Sequence, residues 1–85
     1  MTVTAELLAQ VCRVIADTTG NNLEEVMEDS LFEDDLGMSE LELERVLVKL
    51  NKVFSIHLDL KAVLSEGIES VGDLTKMVAE ESELG

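Results

Sequence analysis

The chain has 85 residues, 46 % of them hydrophobic, with no Pro, Trp or Tyr and only two Phe, so a core must be built from Leu, Val, Ile and Met, a composition that favours packed helices over sheets. Nineteen acidic residues against six basic ones give a formal net charge of -13, which excludes binding a nucleic-acid backbone through Lys and Arg and predicts that added salt stabilises the fold by screening self-repulsion. A lone Cys12 excludes an intramolecular disulfide, and no apolar run approaches the ~20 residues of a membrane span.

Thr4 to about Asp17 places Leu7, Leu8, Val11, Val14 and Ile15 on one stripe at helical spacing, with Thr2 or Thr4 as the N-cap. Gly20, Asn21 and Asn22 accept the left-handed conformation that ends a helix, so the first helix stops near Thr18 or Thr19. Cys12 lies on it as a small buried hydrophobe. From Asn22 to Gly37 a long first loop follows, pinned by Leu23, Val26, Leu31, Phe32 and Leu36, with a short turn of helix at Leu23 to Met27. Glu33, Asp34 and Asp35 offer at most a loose divalent-cation contact, because they lack the alternating ligands and glycine of a calcium loop.

Ser39-Glu40-Leu41-Glu42 fits a capping box, with Ser39 as N-cap and Glu42 at the third helical position. The second helix then carries Leu43, Val46, Leu47, Leu50, Val53 and Phe54 as a core stripe and ends near Phe54. A short third helix spans about Leu60 to Leu64 and closes at Ser65-Glu66-Gly67. Ser70 or a neighbour caps a fourth helix with Val71, Leu74, Met77, Val78 and Leu84 facing inward. The expected architecture is one all-α domain over residues 1–85, a bundle of three main helices plus one short helix with a long first loop.

Phe32-Glu33-Asp34-Asp35-Leu36-Gly37-Met38-Ser39-Glu40-Leu41 resembles the Phe-x-x-Asp-Leu-Gly-x-Asp-Ser-Leu modification site of acyl carrier proteins. Ser70-Val71-Gly72-Asp73-Leu74 is similar to the Thr-Val-Gly-Asp-Leu opening of that family's last helix, and the likeness spans essentially the whole chain. The resemblance implies an acyl-carrier-like bundle and places a phosphopantetheine-bearing serine where Glu40 stands. Glu40 lies eight residues after Phe32 and fourteen before Phe54, the family's spacing for its serine, so no gap moves the register. A glutamate has no hydroxyl to attack coenzyme A. The resemblance with this departure implies a noncatalytic carrier-like domain that is not phosphopantetheinylated at the usual position and expects no cofactor, with Glu40 keeping negative charge where a phosphodiester would sit. Such a domain would act through protein contacts in a fatty-acid, polyketide or peptide-synthesis setting.

The alternative is a functional carrier that uses Ser39 as its attachment site, in which case phosphopantetheine is the cofactor. Against it, Ser39 is already explained as a cap, and an acidic Glu40 in a first helical turn is favoured by the helix dipole without any further role. A second alternative is an acidic helical inhibitor that imitates nucleic acid by its charge, although charge mimicry requires none of the loop and helix landmarks.

Arg45, Lys49 and Lys52 recur on one face of the second helix, where the family usually presents acids to basic partners; the plain reading is a solvated face offset by Glu42 and Glu44. Met38, Leu41 and Val48 are placed beside that face and off the core stripe, at positions that in the family touch the pantetheine arm or partners; the plain reading is partial burial under the loop. The partners so implied are proteins, namely synthase or transferase enzymes and carrier-binding proteins, with no nucleic acid. His57 has no second ligand at metal-binding spacing, and nothing resembles a nucleophile with its base, so neither a metal nor an enzyme activity is expected. A monomer is expected, and the cytoplasm is the expected location, since the N-terminus lacks a basic, signal-like start.

Overall fold

Each of the four α-helices starts on a short polar side chain. The computed structural model describes residues 4–84, with side chains as far as Ser82. Its elements are α1 (Ala5–Thr19), a single 3-10 turn (Leu23–Glu25), α2 (Glu40–Phe54), α3 (Leu60–Ser65) and α4 (Val71–Leu84). Thr4 accepts the Leu7 N–H through Oγ1 at 3.0 Å, Asp59 accepts that of Ala62 at 2.7 Å, and Ser70 accepts that of Asp73 at 3.2 Å. Each satisfies a backbone donor that the first helical turn leaves free. Thr2, the other candidate cap, lies outside the described residues, as does the side chain of Leu84. At its far end α1 stops on Gly20, whose φ of 81° lets its N–H reach the Ala16 carbonyl at 2.9 Å.

The helices share one apolar core. Val11 and Ile15 of α1, Val46 and Leu50 of α2, Val63 of α3 and Val71, Leu74 and Val78 of α4 are all at 0 % exposure. Burial of each such aliphatic side chain is worth roughly 1.5–3 kcal/mol before entropy is counted. α1 packs on both α2 and α4, and α3 leans on α2. Within the core the Cys12 thiol is pushed up by burial and secondarily by the charge of Glu28, which keeps it protonated and unreactive.

The long first loop is held by backbone hydrogen bonds to the start of α4. Phe32 donates to Glu69 at 2.9 Å, Val71 to Ser30 at 3.0 Å and Gly72 to Glu28 at 2.8 Å, around an isolated antiparallel bridge between Leu31 and Ser70. Val26, Phe32 and Leu36 are buried, whereas Leu23 and Leu31 are 47 % and 37 % exposed and do not pin the loop as the sequence suggested. In extended chain neighbouring side chains point to opposite sides, so burying Phe32 at the bridge turns Leu31 out.

One further expectation is corrected. Val53 is 51 % exposed. It sits in the last turn of α2, and the left-handed Ser55 that ends the helix (φ 56°) returns the chain so that Ile56 and Leu58 are buried instead. The Asp35 carboxylate is used within the loop, where it accepts the Leu31 N–H at 2.7 Å. Among the described residues no group of three or more acidic, His or Cys side chains is placed to hold a metal.

Candidate functional site

The start of α2 is built by a reciprocal pair of hydrogen bonds. Ser39 Oγ accepts the Glu42 N–H at 3.2 Å, and the Ser39 N–H donates to Glu42 Oε1 at 3.3 Å, the capping box expected from the sequence. Glu40 is therefore the first residue of the helix, exposed, with its carboxylate beside the positive end of the helix dipole.

The residues before this start are turned sharply. Leu36 and Asp35 donate to the Leu31 carbonyl at 3.1 and 3.0 Å, Gly37 to that of Glu33 at 3.1 Å, and Met38 to that of Phe32 at 2.8 Å. Gly37 takes a φ of 62°, a conformation that costs a side-chain-bearing residue about 1 kcal/mol or more. This reversal carries Met38 back into the core at 6 % exposure. Met38 was placed off the core stripe, either touching the pantetheine arm or partners or partly buried under the loop; it is a packed core residue that also lines the cleft at the start of α2.

A cleft of about 640 Å³ opens beside Ser39 and Glu40. Phe32, Met38, Leu43, Leu64 and Ile68 give it an apolar lining, while Glu33, Asp34, Glu40 and Glu69 put four carboxylates around it. Ser39 and Glu40, the residues the sequence singled out, line this cleft; Leu64, Ile68 and Glu69, which it did not single out, line it as well. They come from the end of α3 and the connection to α4, and no local pattern announces that these segments meet the start of α2.

The other expected contacts lie elsewhere. Leu41 is 59 % exposed and Val48 52 %, so neither is covered by the loop. Arg45, Lys49 and Lys52 are exposed along α2, away from the cleft. His57 is exposed as well. Among the described residues the partner of the Ser39 hydroxyl is a backbone N–H, and no imidazole or amine is hydrogen-bonded to it. At Glu40, where the sequence resemblance places the family's serine, the side chain is a carboxylate, which cannot form the phosphodiester a serine hydroxyl forms, so this residue does not fit a phosphopantetheine group.

Comparisons with known proteins agree on the ancestry of this arrangement. The chain is 33 % identical over 73 residues to an acyl carrier protein of Prochlorococcus marinus (strain MIT 9515), covering 86 % of this chain and 89 % of the relative. It is 31 % identical over 71 residues to an acyl carrier protein of Rickettsia bellii (strain RML369-C), covering 84 % of this chain and 80 % of the relative. Among solved structures, the apo doublet acyl carrier protein from prodigiosin biosynthesis superposes with a TM-score of 0.73 at 30 % identity over 94 % of this chain. The chain spans 38 % of the length of that doublet. No protein-family model matches the chain. Among the described residues no helix is long and apolar enough to cross a membrane.

Proposed function

The chain belongs to the acyl carrier protein family, and from that premise we infer that it is a noncatalytic carrier-like domain that works through protein contacts and carries no phosphopantetheine at the family's usual position. The observation that carries this reading is the start of α2: Glu40 holds the first helical position, and the adjacent hydroxyl of Ser39 is engaged in the capping box. Losing that cap would cost about 1 kcal/mol. The four carboxylates around the cleft support the reading from another side, because they leave its negative charge in place without a phosphodiester. Synthase or transferase enzymes and other carrier-binding proteins are the partners of this reading.

Ser39 as attachment site is the competing reading, and it has one observation in its favour: the residue is exposed and lines the cleft. Incubating the chain with coenzyme A and a broad-specificity phosphopantetheinyl transferase separates the two. The expected result is an unchanged intact mass. A gain of one phosphopantetheine, abolished by Ser39→Ala and kept by Glu40→Ala, would establish Ser39 as the attachment site.

A further inference from the structure

The outer face of α2 is used by neither the core nor the cleft. Leu41, Arg45, Val48 and Lys52 follow one another at i, i+4, i+7 and i+11, which stacks them in one row opposite the buried Leu43, Val46, Leu47 and Leu50. At about 1.5 Å per residue the row is about 16 Å long. One exposed leucine on a surface needs no explanation. Here two apolar side chains, both more than half exposed, alternate with two cations, so each apolar contact has a charge a turn away that fixes its register.

The edges of the row differ in sign. On one side a groove of about 380 Å³ lies between Val48 and the Leu58-Asp59 segment, and Glu44 and Asp59 line it together with Arg45. The other side carries Lys49, which with Arg45 and Lys52 of the row makes up three of the six basic residues in the chain. A ligand set on this face gains from apolar groups toward Val48 and Leu58 and from anions toward the three cations.

We propose that this face docks an acidic amphipathic helix of a partner protein, with its apolar side chains on Leu41 and Val48 and its carboxylates against Arg45, Lys49 and Lys52. Charge complementarity chooses this occupant. With a net charge of -13 on the chain, an extended polyanion such as nucleic acid or an anionic bilayer meets repulsion beyond the stripe. A Debye length of about 8 Å at physiological salt lets a short acidic segment feel the local cations and little of the rest. A second copy of this chain brings the same excess of negative charge and is disfavoured on the same ground. Helix-on-face docking supplies the spacing, since the partner's i, i+3, i+4 and i+7 positions match the row.

The proposal rests on the protein-contact reading above, but the two fail separately: a modified Ser39 overturns that reading and leaves the face as it is. The test is an amide NMR titration of the full chain with two synthetic helical peptides of equal length, one patterned with Glu and Leu, the other with Lys and Leu. The Glu/Leu peptide is expected to shift signals of the α2 outer face, to weaken with added salt, and to lose roughly tenfold in affinity on the Arg45→Glu, Lys52→Glu double variant. Both residues are exposed, so an unchanged melting temperature of that variant separates lost binding from lost fold. No shift at this face, indifference to the charge reversal, tighter binding of the Lys/Leu peptide, equal binding of phosphatidylglycerol vesicles, or concentration-dependent shifts without peptide would each overturn the proposal.

Discussion

The two connections that flank α2 are fastened in opposite ways. The first, residues 20–39, is tied by backbone groups to the start of α4 and by the buried Val26, Phe32 and Leu36. The second, residues 55–59, buries Ile56 and Leu58 and is clamped by a side chain: Asn51 donates to the Leu58 carbonyl at 2.9 Å and accepts the Leu58 N–H at 2.8 Å. A backbone ladder fixes the path of a loop while leaving most side chains along it free. Glu33, Asp34 and Glu40 are thereby held at the cleft as exposed residues that the fold does not need. An amide clamp places its polar demand on one residue, Asn51.

The largest effect that tests this contrast is at the apolar anchor of the first connection. Phe32→Ala should cost about 3–5 kcal/mol in urea unfolding, because a 5 % exposed aromatic is replaced by a cavity. A loss below about 1 kcal/mol would show that the ladder alone holds the loop. Gly72→Ala attacks the ladder itself. A Cβ there would lie 2.9 Å from Glu28 Cγ and 3.0 Å from the Glu28 carbonyl oxygen, the same oxygen that accepts the Gly72 N–H. The side chain can swing away and the carbonyl cannot without losing its bond, so a cost of about 1–3 kcal/mol is expected, with weakened amide exchange protection at Val71 and Gly72.

In the second connection Asn51→Ala should cost about 1–2 kcal/mol, since it strands both backbone groups of Leu58 at once. Its exchange changes should stay within residues 55–59 if the clamp acts locally. The smallest effect has the opposite sign. Ser55 is the one non-glycine residue with positive φ among the described residues, and Ser55→Gly should stabilise the chain by about 0.5 kcal/mol, read as a small rise in melting temperature.

Much of this architecture was legible because its signals are local. The Thr4, Ser39 and Ser70 caps, the stop at Gly20 and the stripe Leu43, Val46, Leu47 and Leu50 each follow from residues within a turn or two of one another. Ser39 and Glu40 were legible for the same reason, since the capping box and the spacing from Phe32 and Phe54 mark the start of α2. Met38 was misplaced because its burial depends on the turn at Gly37 and a hydrogen bond back to Phe32, which no periodicity carries. Val53 was misplaced because helical spacing continues to the end of α2 while the core it faces does not.

By itself the sequence determined the helices, their caps, the register that puts Glu40 at the head of α2 and the row of cations along it. All of these are set by backbone chemistry and side-chain spacing within single segments. Only the tertiary structure decided which apolar residues meet. It joined the α3–α4 connection to Phe32 and Met38 as the lining of one cleft, tied Glu28 to Gly72 across the chain, and left Leu41 and Val48 uncovered. The physical reason is that burial is a property of pairs of segments. A residue's spacing states which face of its own helix it occupies, and only the packing of the other helices states whether that face is covered.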